Sequence, residues 1–293
     1  MGKGFVAAVP GAKAGRKPAN GAAALSRAEE TRLLKAARTG DEKALREIVQ
    51  MVSGPAYRFS MGFCRNTDDA EDLVQDVMAT LLRSLDSFRG ESSLSTWTYI
   101  VAKRACGRRR QRAKRQMSIE DLGPNEADRP DPGPGPSHRA ENSELSAALE
   151  AAIASLPDAQ KQVLVMRDVE GLSAAEVGKV LGLGERAVKS RLHRARLVLR
   201  EKLAPYVKGG DAPAPAESCP DTALMLSRYM EGELNATVCK RMEEHVSQCP
   251  SCGGTCESLR QVLGACRTHG DRPLPEDLRK AVRSAVKMAI ATR

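Results

Sequence analysis

Two proline-rich segments most strongly constrain what this chain can fold into. Residues 116–143 contain five prolines, six acids and almost no apolar periodicity, and a second segment reads Asp211-Ala-Pro-Ala-Pro-Ala. Proline lacks a backbone N–H and disrupts the interior of a helix or a central strand, so both segments are predicted to be linkers. A chain of 293 residues divided in this way is expected to form several small domains rather than one continuous core.

The segments between the linkers have the apolar spacing of helices. Leu45, Ile48 and Val49 form one such group, similar spacing returns after Ser143, and strand signals are absent from the sequence. The predicted fold class is therefore all-α: two small helical domains joined by a flexible linker, followed by a small helical module. The predicted parts are a disordered basic tail (1–28), a first helical domain (29–115), a linker (116–143), a second helical domain (144–208), a short linker (209–216), a Cys-rich module (217–270) and a C-terminal amphipathic helix (271–293).

The charge of the chain indicates the kind of partner it binds. It carries 46 Lys and Arg against 37 Asp and Glu, a net charge of +9, which predicts a polyanionic partner. No stretch approaches the roughly 20 apolar residues that span a bilayer, and the opening residues lack the features of a secretory signal. We therefore expect a cytoplasmic protein without a membrane partner. No catalytic nucleophile or acid–base pair stands out, so an enzyme is not expected.

Residues 172–200 have the pattern of a helix-turn-helix. Gly182-Leu-Gly184 separates an apolar-faced helix from a second helix that is predicted to begin near Glu185. Five basic residues are predicted to lie on the solvent face of the second helix, namely Arg186, Lys189, Arg191, Arg194 and Arg196. A recognition helix presents such side chains to phosphates and base edges in the major groove. The pattern predicts DNA binding; the alternative is an ordinary basic surface helix in a helical bundle.

The first helical domain combines two oppositely charged stretches. Residues 67–76 contain five acids, and residues 103–115 contain eight basic residues and no acid. The basic stretch is typical of a phosphate-binding surface. Trp97, the only tryptophan, lies between the two stretches. An aromatic side chain beside basic residues can stack on an unpaired base, but it can equally belong to the core, and the sequence leaves both interpretations open.

Six of the eight cysteines fall in the Cys-rich module. His245, Cys249 and Cys252 form an H-x3-C-x2-C string, which is typical of a zinc site, and a closed tetrahedral site needs one more ligand. The spacing alone leaves Cys219 and Cys239 as candidates for that ligand. Cys256 and Cys266 are interpreted as additional ligands, redox partners or buried residues, without a choice between them.

Several motifs over residues 29–205 together resemble the extracytoplasmic-function sigma factors of bacterial RNA polymerase. They are Asp68-Asp-Ala-Glu-Asp-Leu-Val-Gln-Asp76, Phe88-Arg-Gly, Leu94-Ser-Thr-Trp97, the basic stretch that follows, and Val188-Lys-Ser-Arg-Leu-His-Arg-Ala-Arg196. The resemblance implies a sigma-2 type and a sigma-4 type domain, with core RNA polymerase and promoter DNA as partners.

The same resemblance implies roles for single residues. It gives polymerase binding to Asp72, Gln75 and Asp76. It gives promoter melting at the −10 element to Phe88, Trp97, Lys103, Arg104, Arg108 and Arg109. It gives reading of the −35 element to the recognition helix with Arg186, Lys189, Ser190, Arg191, Arg194 and Arg196.

The Cys-rich module is similar to the zinc-binding anti-sigma domain, in which a Cys or His on the preceding helix completes the site. That resemblance selects Cys219, so the predicted zinc ligands are Cys219, His245, Cys249 and Cys252. It implies an intramolecular contact between the module and the sigma domains, and regulation in either direction. The alternatives are a purely structural zinc site, a sensor of copper, cadmium or zinc, and a stand-alone helix-turn-helix regulator that binds DNA without polymerase.

Overall fold

A computed structural model describes residues 26–63, 67–88, 90–116, 143–269 and 274–291. Within these ranges every regular element is helical, which confirms the all-α prediction. The contacts divide the chain into two compact units. The first unit comprises Ala22–Gly135, Glu176–Gly182 and Arg272–Arg293, and the second includes Pro136–Ala175 and Leu183–Asp271. The predicted tail and first linker lie almost wholly outside the described residues.

The first unit is built on four helices from the first predicted domain. They are α1 (Arg27–Arg38), α2 (Glu42–Phe63), α3 (Thr67–Ser84) and α4 (Leu94–Gln116). The sequence sets the start of α1, because Ser26 accepts a hydrogen bond from the backbone N–H of Glu29 while the Glu29 carboxylate accepts one from the N–H of Ser26. Ile48 and Leu73 are fully buried between the helices, and Phe59 meets Tyr99 edge to face.

A helix from the far end of the chain completes the first unit. This helix, α12 (Glu276–Ala291), packs against α2 and α3, although the sequence predicted only a separate amphipathic segment there. Its buried residues Leu278, Val282 and Val286 are spaced by four and so form one apolar stripe. Arg279 and Lys280 pair with acids one turn earlier on the helix.

The helix-turn-helix consists of α7 (Ala174–Leu181) and α8 (Glu185–Leu203). Gly182 ends α7 with φ +72°, a left-handed conformation that favours glycine, and its N–H bonds to the carbonyl of Gly178 at 2.8 Å. Helix α8 begins at Glu185, as predicted, and its N-cap Gly184 offers no side-chain cap. Val188, Leu192 and Leu199 are fully buried, as the apolar pattern predicted.

The second unit joins α8 to further helices before and after it. They are α5 (Ser143–Ala154), α6 (Asp158–Leu164) with a π-helical segment (Val165–Val169), a 3-10 turn (Ala204–Tyr206), α9 (Thr222–Met230), α10 (Ala236–Gln248) and α11 (Pro250–His269). Side-chain caps begin two of these helices, because Asp221 accepts from the N–H of Leu224 and Asn235 accepts from the N–H of Val238.

The Cys-rich module and α8 share a core within this unit. Leu226, Leu259 and Leu263 form a buried cluster in the module, and Leu197 of α8 packs against it. The short linker is also held in place, because the hydroxyl of Ser251 in α11 donates to the carbonyl oxygen of Pro213. The segments predicted as separate domains at 144–208 and 217–270 thus lie largely within one compact unit. None of the described helices is both long and apolar enough to span a membrane.

Candidate functional site

The predicted recognition helix α8 presents its polar residues at different depths. Arg186, Ser190 and Arg194 are exposed, whereas Lys189 and Arg191 are half-buried. The exposed three are spaced by four residues and therefore lie on one side of the helix. This side is opposite part of the buried apolar face, so the open basic surface of α8 is narrower than the sequence predicted.

Arg196 does not lie on the solvent face, and the sequence prediction of its position is wrong. The side chain is completely buried, with Nε 2.7 Å and Nη2 2.6 Å from the two carboxylate oxygens of Asp168. Nη2 also donates to Glu231 at 2.9 Å. Burial acts to lower the pKa of Arg196, but the two carboxylates outweigh it and hold the pKa above its ordinary value. Arg196 is therefore a buried ion-pair residue here.

A short acidic turn of the Cys-rich module contacts α8 beside this pair. We call Glu231-Gly232-Glu233 the acidic turn; it follows α9, and Gly232 has φ +69°, which lets the chain reverse there. Lys189 Nζ lies 3.2 Å from the carbonyl oxygen of Glu231 and 3.5 Å from a carboxylate oxygen of Glu233. The Glu231 carboxylate is also paired with Arg167.

His193 connects the acidic turn to the buried pair. Its Nε2 lies 2.9 Å from Glu233 and its Nδ1 lies 2.7 Å from the hydroxyl of Ser227, which accepts from Arg196 at 3.0 Å. These contacts fit a neutral imidazole that donates from Nε2 and accepts at Nδ1, a tautomer assigned from the network. Burial lowers the pKa of His193, and the Glu233 carboxylate only partly opposes this.

In the first unit, the predicted polymerase-binding and DNA-binding residues touch each other. Asp72, Gln75 and Asp76 are exposed on one side of α3. Arg109 of α4 donates to Asp72 at 3.2 Å and to Asp76 at 3.2 and 3.3 Å. Burial acts to lower the pKa of Arg109, but these two partners outweigh it and raise the pKa. The charge of Arg109 is thus already balanced by two acids.

The other residues that are predicted to melt promoter DNA differ in how exposed they are. Phe88 and Trp97 are half-buried and meet edge to face at 6.1 Å, so Trp97 packs on a neighbour while part of its surface stays accessible. Lys103, Arg104 and Arg108 are exposed on α4. The ammonium of Lys103 donates to the carbonyl oxygens of Val180 and Leu181 at the end of α7, at 3.0 and 3.2 Å.

The four predicted metal ligands come together in the Cys-rich module. The ligand atoms of Cys219, His245, Cys249 and Cys252 all lie within 4.8 Å of one another. The junction between α10 and α11 positions three of them. His245 lies in the last turn of α10, Cys249 is the C-cap of α10, and Cys252 lies in the first turn of α11. The Sγ atoms of Cys219 and Cys249 are 4.0 Å apart. A tetrahedral zinc with Zn–S bonds of about 2.3 Å needs sulfurs about 3.8 Å apart, so the donor set fits.

The thiols differ in their acidity. The backbone N–H of Cys252 lowers the pKa of Cys249, whereas burial is the main cause that raises the pKa of Cys252 to about 12. Burial also raises the pKa of Cys256 to about 11, and Cys256 and Cys266 are completely buried in α11. Cys239 lies near Tyr229 and Glu243, outside the group of four.

Three family models match separate parts of the chain. The model of Sigma-70 region 2 matches residues 48–116, and that of Sigma-70 region 4 matches residues 146–199. A zinc-finger family model matches residues 219–253, which include all four clustered ligands. The three matches fall on the acidic and basic helices, the helix-turn-helix and the metal cluster respectively.

Relatives with similar sequences identify the family. The ECF RNA polymerase sigma factor SigE of Mycolicibacterium smegmatis is 33% identical over 175 residues, 57% of this chain and 66% of that protein. The ECF RNA polymerase sigma factor SigM of Mycobacterium tuberculosis is 30% identical over 195 residues, 66% of this chain and 93% of that protein. This chain belongs to the ECF RNA polymerase sigma factors. A solved sigma factor RpoE from Bartonella quintana, in complex with the anti-sigma factor NepR, aligns with a TM-score of 0.42 at 22% identity over 55% of this chain and 97% of that chain.

No role was predicted from the sequence for four residues that surround Lys189 and Arg196 of α8. They are Asp168, His193, Glu231 and Glu233. The sequence does contain one indication of these contacts. Two acids flank a glycine in Glu231-Gly-Glu233, and the predicted helix α8 has an excess of basic residues that could pair with them. The pairing itself depends on how α9 packs against α8, which a single sequence does not specify.

Proposed function

We propose that this sigma factor directs core RNA polymerase to specific promoters, and that its Cys-rich module restrains it while a zinc ion is bound. The polymerase carries out the chemistry, so the chain itself acts by binding. In this proposal Asp72, Gln75 and Asp76 bind the polymerase, the exposed residues of α4 act on the −10 element, and the exposed face of α8 reads the −35 element.

The exposed side of α3 supports the polymerase role. Its acids Asp72 and Asp76 lie one turn apart on α3, and one arginine of α4 links them. The exposed side chains of Arg186 and Arg194 support the proposed DNA binding by α8, because phosphates and base edges can reach them.

Zinc is the metal we assign to Cys219, His245, Cys249 and Cys252. Three thiolates and one imidazole at these distances suit tetrahedral zinc, which would supply a closed structural centre. The site joins the segment before α9 to the junction of α10 and α11, so it fixes three helices of a small module. A module of this size gains much of its folding free energy from such a site.

The observation that carries the regulatory part is the packing of the module against α8. Leu197 of α8 packs on the module's apolar cluster, and Glu231 completes the buried pair of Arg196. Tethering keeps such a contact at an effective concentration of about millimolar, so docking is favoured in the intact chain. Loss of the metal would unfold the module and release α8, which is why we assign restraint rather than activation to the zinc-bound form.

The test is transcription with purified core polymerase on fragments of the host genome, using the full chain with and without zinc. We expect promoter-specific starts that become more abundant after the zinc is chelated or in Cys249→Ser. Asp76→Asn should weaken binding to the core polymerase, whereas Glu47→Gln, a charge change on an exposed residue of α2, should not.

Each part of the proposal has its own contrary result. Failure of the chain to bind core polymerase would contradict the sigma-factor role. Fewer transcripts after zinc removal, with the first unit still folded, would show that the module activates. Unchanged transcription with and without zinc would make the zinc purely structural.

A further inference from the structure

The polar residues of α8 fall on two neighbouring sides, and only one of them is open. Arg186, Ser190 and Arg194 are exposed at four-residue spacing. Lys189 and His193 follow the same spacing on the adjacent side, and the acidic turn lies against them. The module therefore covers one flank of the recognition helix and leaves the other accessible.

The acidic turn offers this flank the same kind of atoms that duplex DNA offers. Lys189 faces a carbonyl oxygen and a carboxylate oxygen, at 3.2 and 3.5 Å, and His193 Nε2 faces the second carboxylate oxygen of Glu233 at 2.9 Å. Phosphate oxygens and the acceptor atoms of base edges are likewise negative or partly negative, and basic side chains of a recognition helix bind them.

The two acids of the turn sit at different depths, which gives them different roles. The Glu231 side chain is 1% exposed and is held by Arg167 and Arg196, so it anchors the turn. Glu233 is 29% exposed and its partner Lys189 is 24% exposed. A partly exposed pair of this kind is screened by solvent and contributes little to stability, so a competing anion has little free energy to overcome.

We propose that the acidic turn competes with duplex DNA for the recognition helix, with Glu233 occupying Lys189 and His193 when the module is docked. DNA that first meets Arg186 and Arg194 must displace Glu233 to gain the two remaining contacts. This inference rests on the proposed function and names the group through which docking acts on DNA. Arg196 stays out of the competition, because Asp168 of its own domain already pairs with it.

The test compares two acid-to-amide variants of the full, zinc-loaded chain for binding to a short mixed-sequence DNA duplex at fixed ionic strength. Glu233→Gln removes the competing charge, so we expect its affinity to rise about three- to fivefold, the size that one partly exposed ion pair supplies. Glu244→Gln, an exposed acid of α10 in the same module, is the matched control with the same change in net charge. Adding Lys189→Gln to Glu233→Gln should remove the gain.

Equal affinities for Glu233→Gln and Glu244→Gln would overturn the competition. If Glu233→Gln loses zinc or fails to fold, hydrogen exchange of the wild-type chain decides instead. Addition of the duplex should then speed exchange of the amides at 229–234 and leave those at 255–263 unchanged, whereas slower or unchanged exchange at the turn would contradict the proposal. Binding to core polymerase is measured separately, so failure of the sigma-factor role and failure of the competition give different results.

Discussion

The two basic helices of this sigma factor, α4 and α8, both pair an arginine with two carboxylates, but they do so at different depths. Arg109 of α4 is 30% exposed and bridges Asp72 and Asp76 on the surface. Arg196 of α8 is completely buried between Asp168 and Glu231. A count of basic residues on a helix therefore does not reveal how much of its charge is available to DNA.

The largest contrast is expected in stability. Arg196→Gln removes the buried positive charge that pairs with both Asp168 and Glu231, and Glu231 keeps its pair with Arg167. The second unit should therefore lose about 3–5 kcal/mol of unfolding free energy. Arg194→Gln, an exposed neighbour on the same helix, should change it by less than about 0.5 kcal/mol. Native-state hydrogen exchange of the α8 amides measures this directly, because the only tryptophan lies in the first unit and its fluorescence does not report on α8.

A second replacement separates the lost pair from lost packing. Arg196→Met combined with Asp168→Leu removes both main charges and keeps a similar volume, so it should be less destabilising than Arg196→Gln. A double variant that is as unstable as Arg196→Gln would show that the ion pair is not the source of the effect.

The helical parts of the fold were predictable, because local apolar spacing and turn residues specify them. The start of α8 at Glu185 and its buried Val188 and Leu192 follow from that pattern. The metal cluster was also predictable from the sequence, because His245, Cys249 and Cys252 lie close together in the chain and only Cys219 is distant. The burial of Arg196 was not predictable, because it depends on Asp168, which lies 28 residues away, and on Glu231, which lies 35 residues away.

The packing of α12 was likewise not predictable from the sequence. Its stripe of Leu278, Val282 and Val286 predicts an amphipathic helix, and the structure contains one. The stripe does not specify which apolar surface it meets, and here that surface belongs to α2 and α3. Amphipathic periodicity specifies a buried face but not its partner.

A smaller difference is expected between Arg109 and its neighbour Arg108 in binding to single-stranded DNA. Arg108 is exposed, so Arg108→Gln should lower the affinity and reduce the salt slope by about 0.7 if the side chain contacts one phosphate. Arg109→Gln should change the slope less, because Asp72 and Asp76 already balance its charge. Titrations at several salt concentrations with the full chain measure both slopes. Equal losses would mean that Arg109 leaves its two acids and binds DNA as Arg108 does.

The smallest expected effect is a pH dependence of the docking of the module on α8, which arises from His193. Burial holds the pKa of His193 below its ordinary value of 6.5, so His193 is a neutral imidazole when the module is docked on α8. Release of the module returns the pKa to its ordinary value, and the free form then takes up a proton more readily. The contribution of His193 to docking is therefore fully present above about pH 6.5 and decreases as the pH falls below it. The other charged groups that face this site are Glu231, Glu233, Lys189 and Arg196.

His193→Gln provides the matched control for this dependence, because glutamine can still form hydrogen bonds to Ser227 and Glu233 but does not titrate. Hydrogen exchange of the α9 amides at several pH values, corrected for the intrinsic pH dependence of exchange, measures how often the module undocks. We expect undocking to increase from about pH 7.5 to 5.5 more steeply in the wild type than in His193→Gln. The metal ligands also lose affinity as they protonate, but that contribution is common to both proteins and cancels in the comparison. Identical pH profiles would show that His193 does not couple docking to pH, and the carboxylate contacts of α8 would then depend on charge pairing alone.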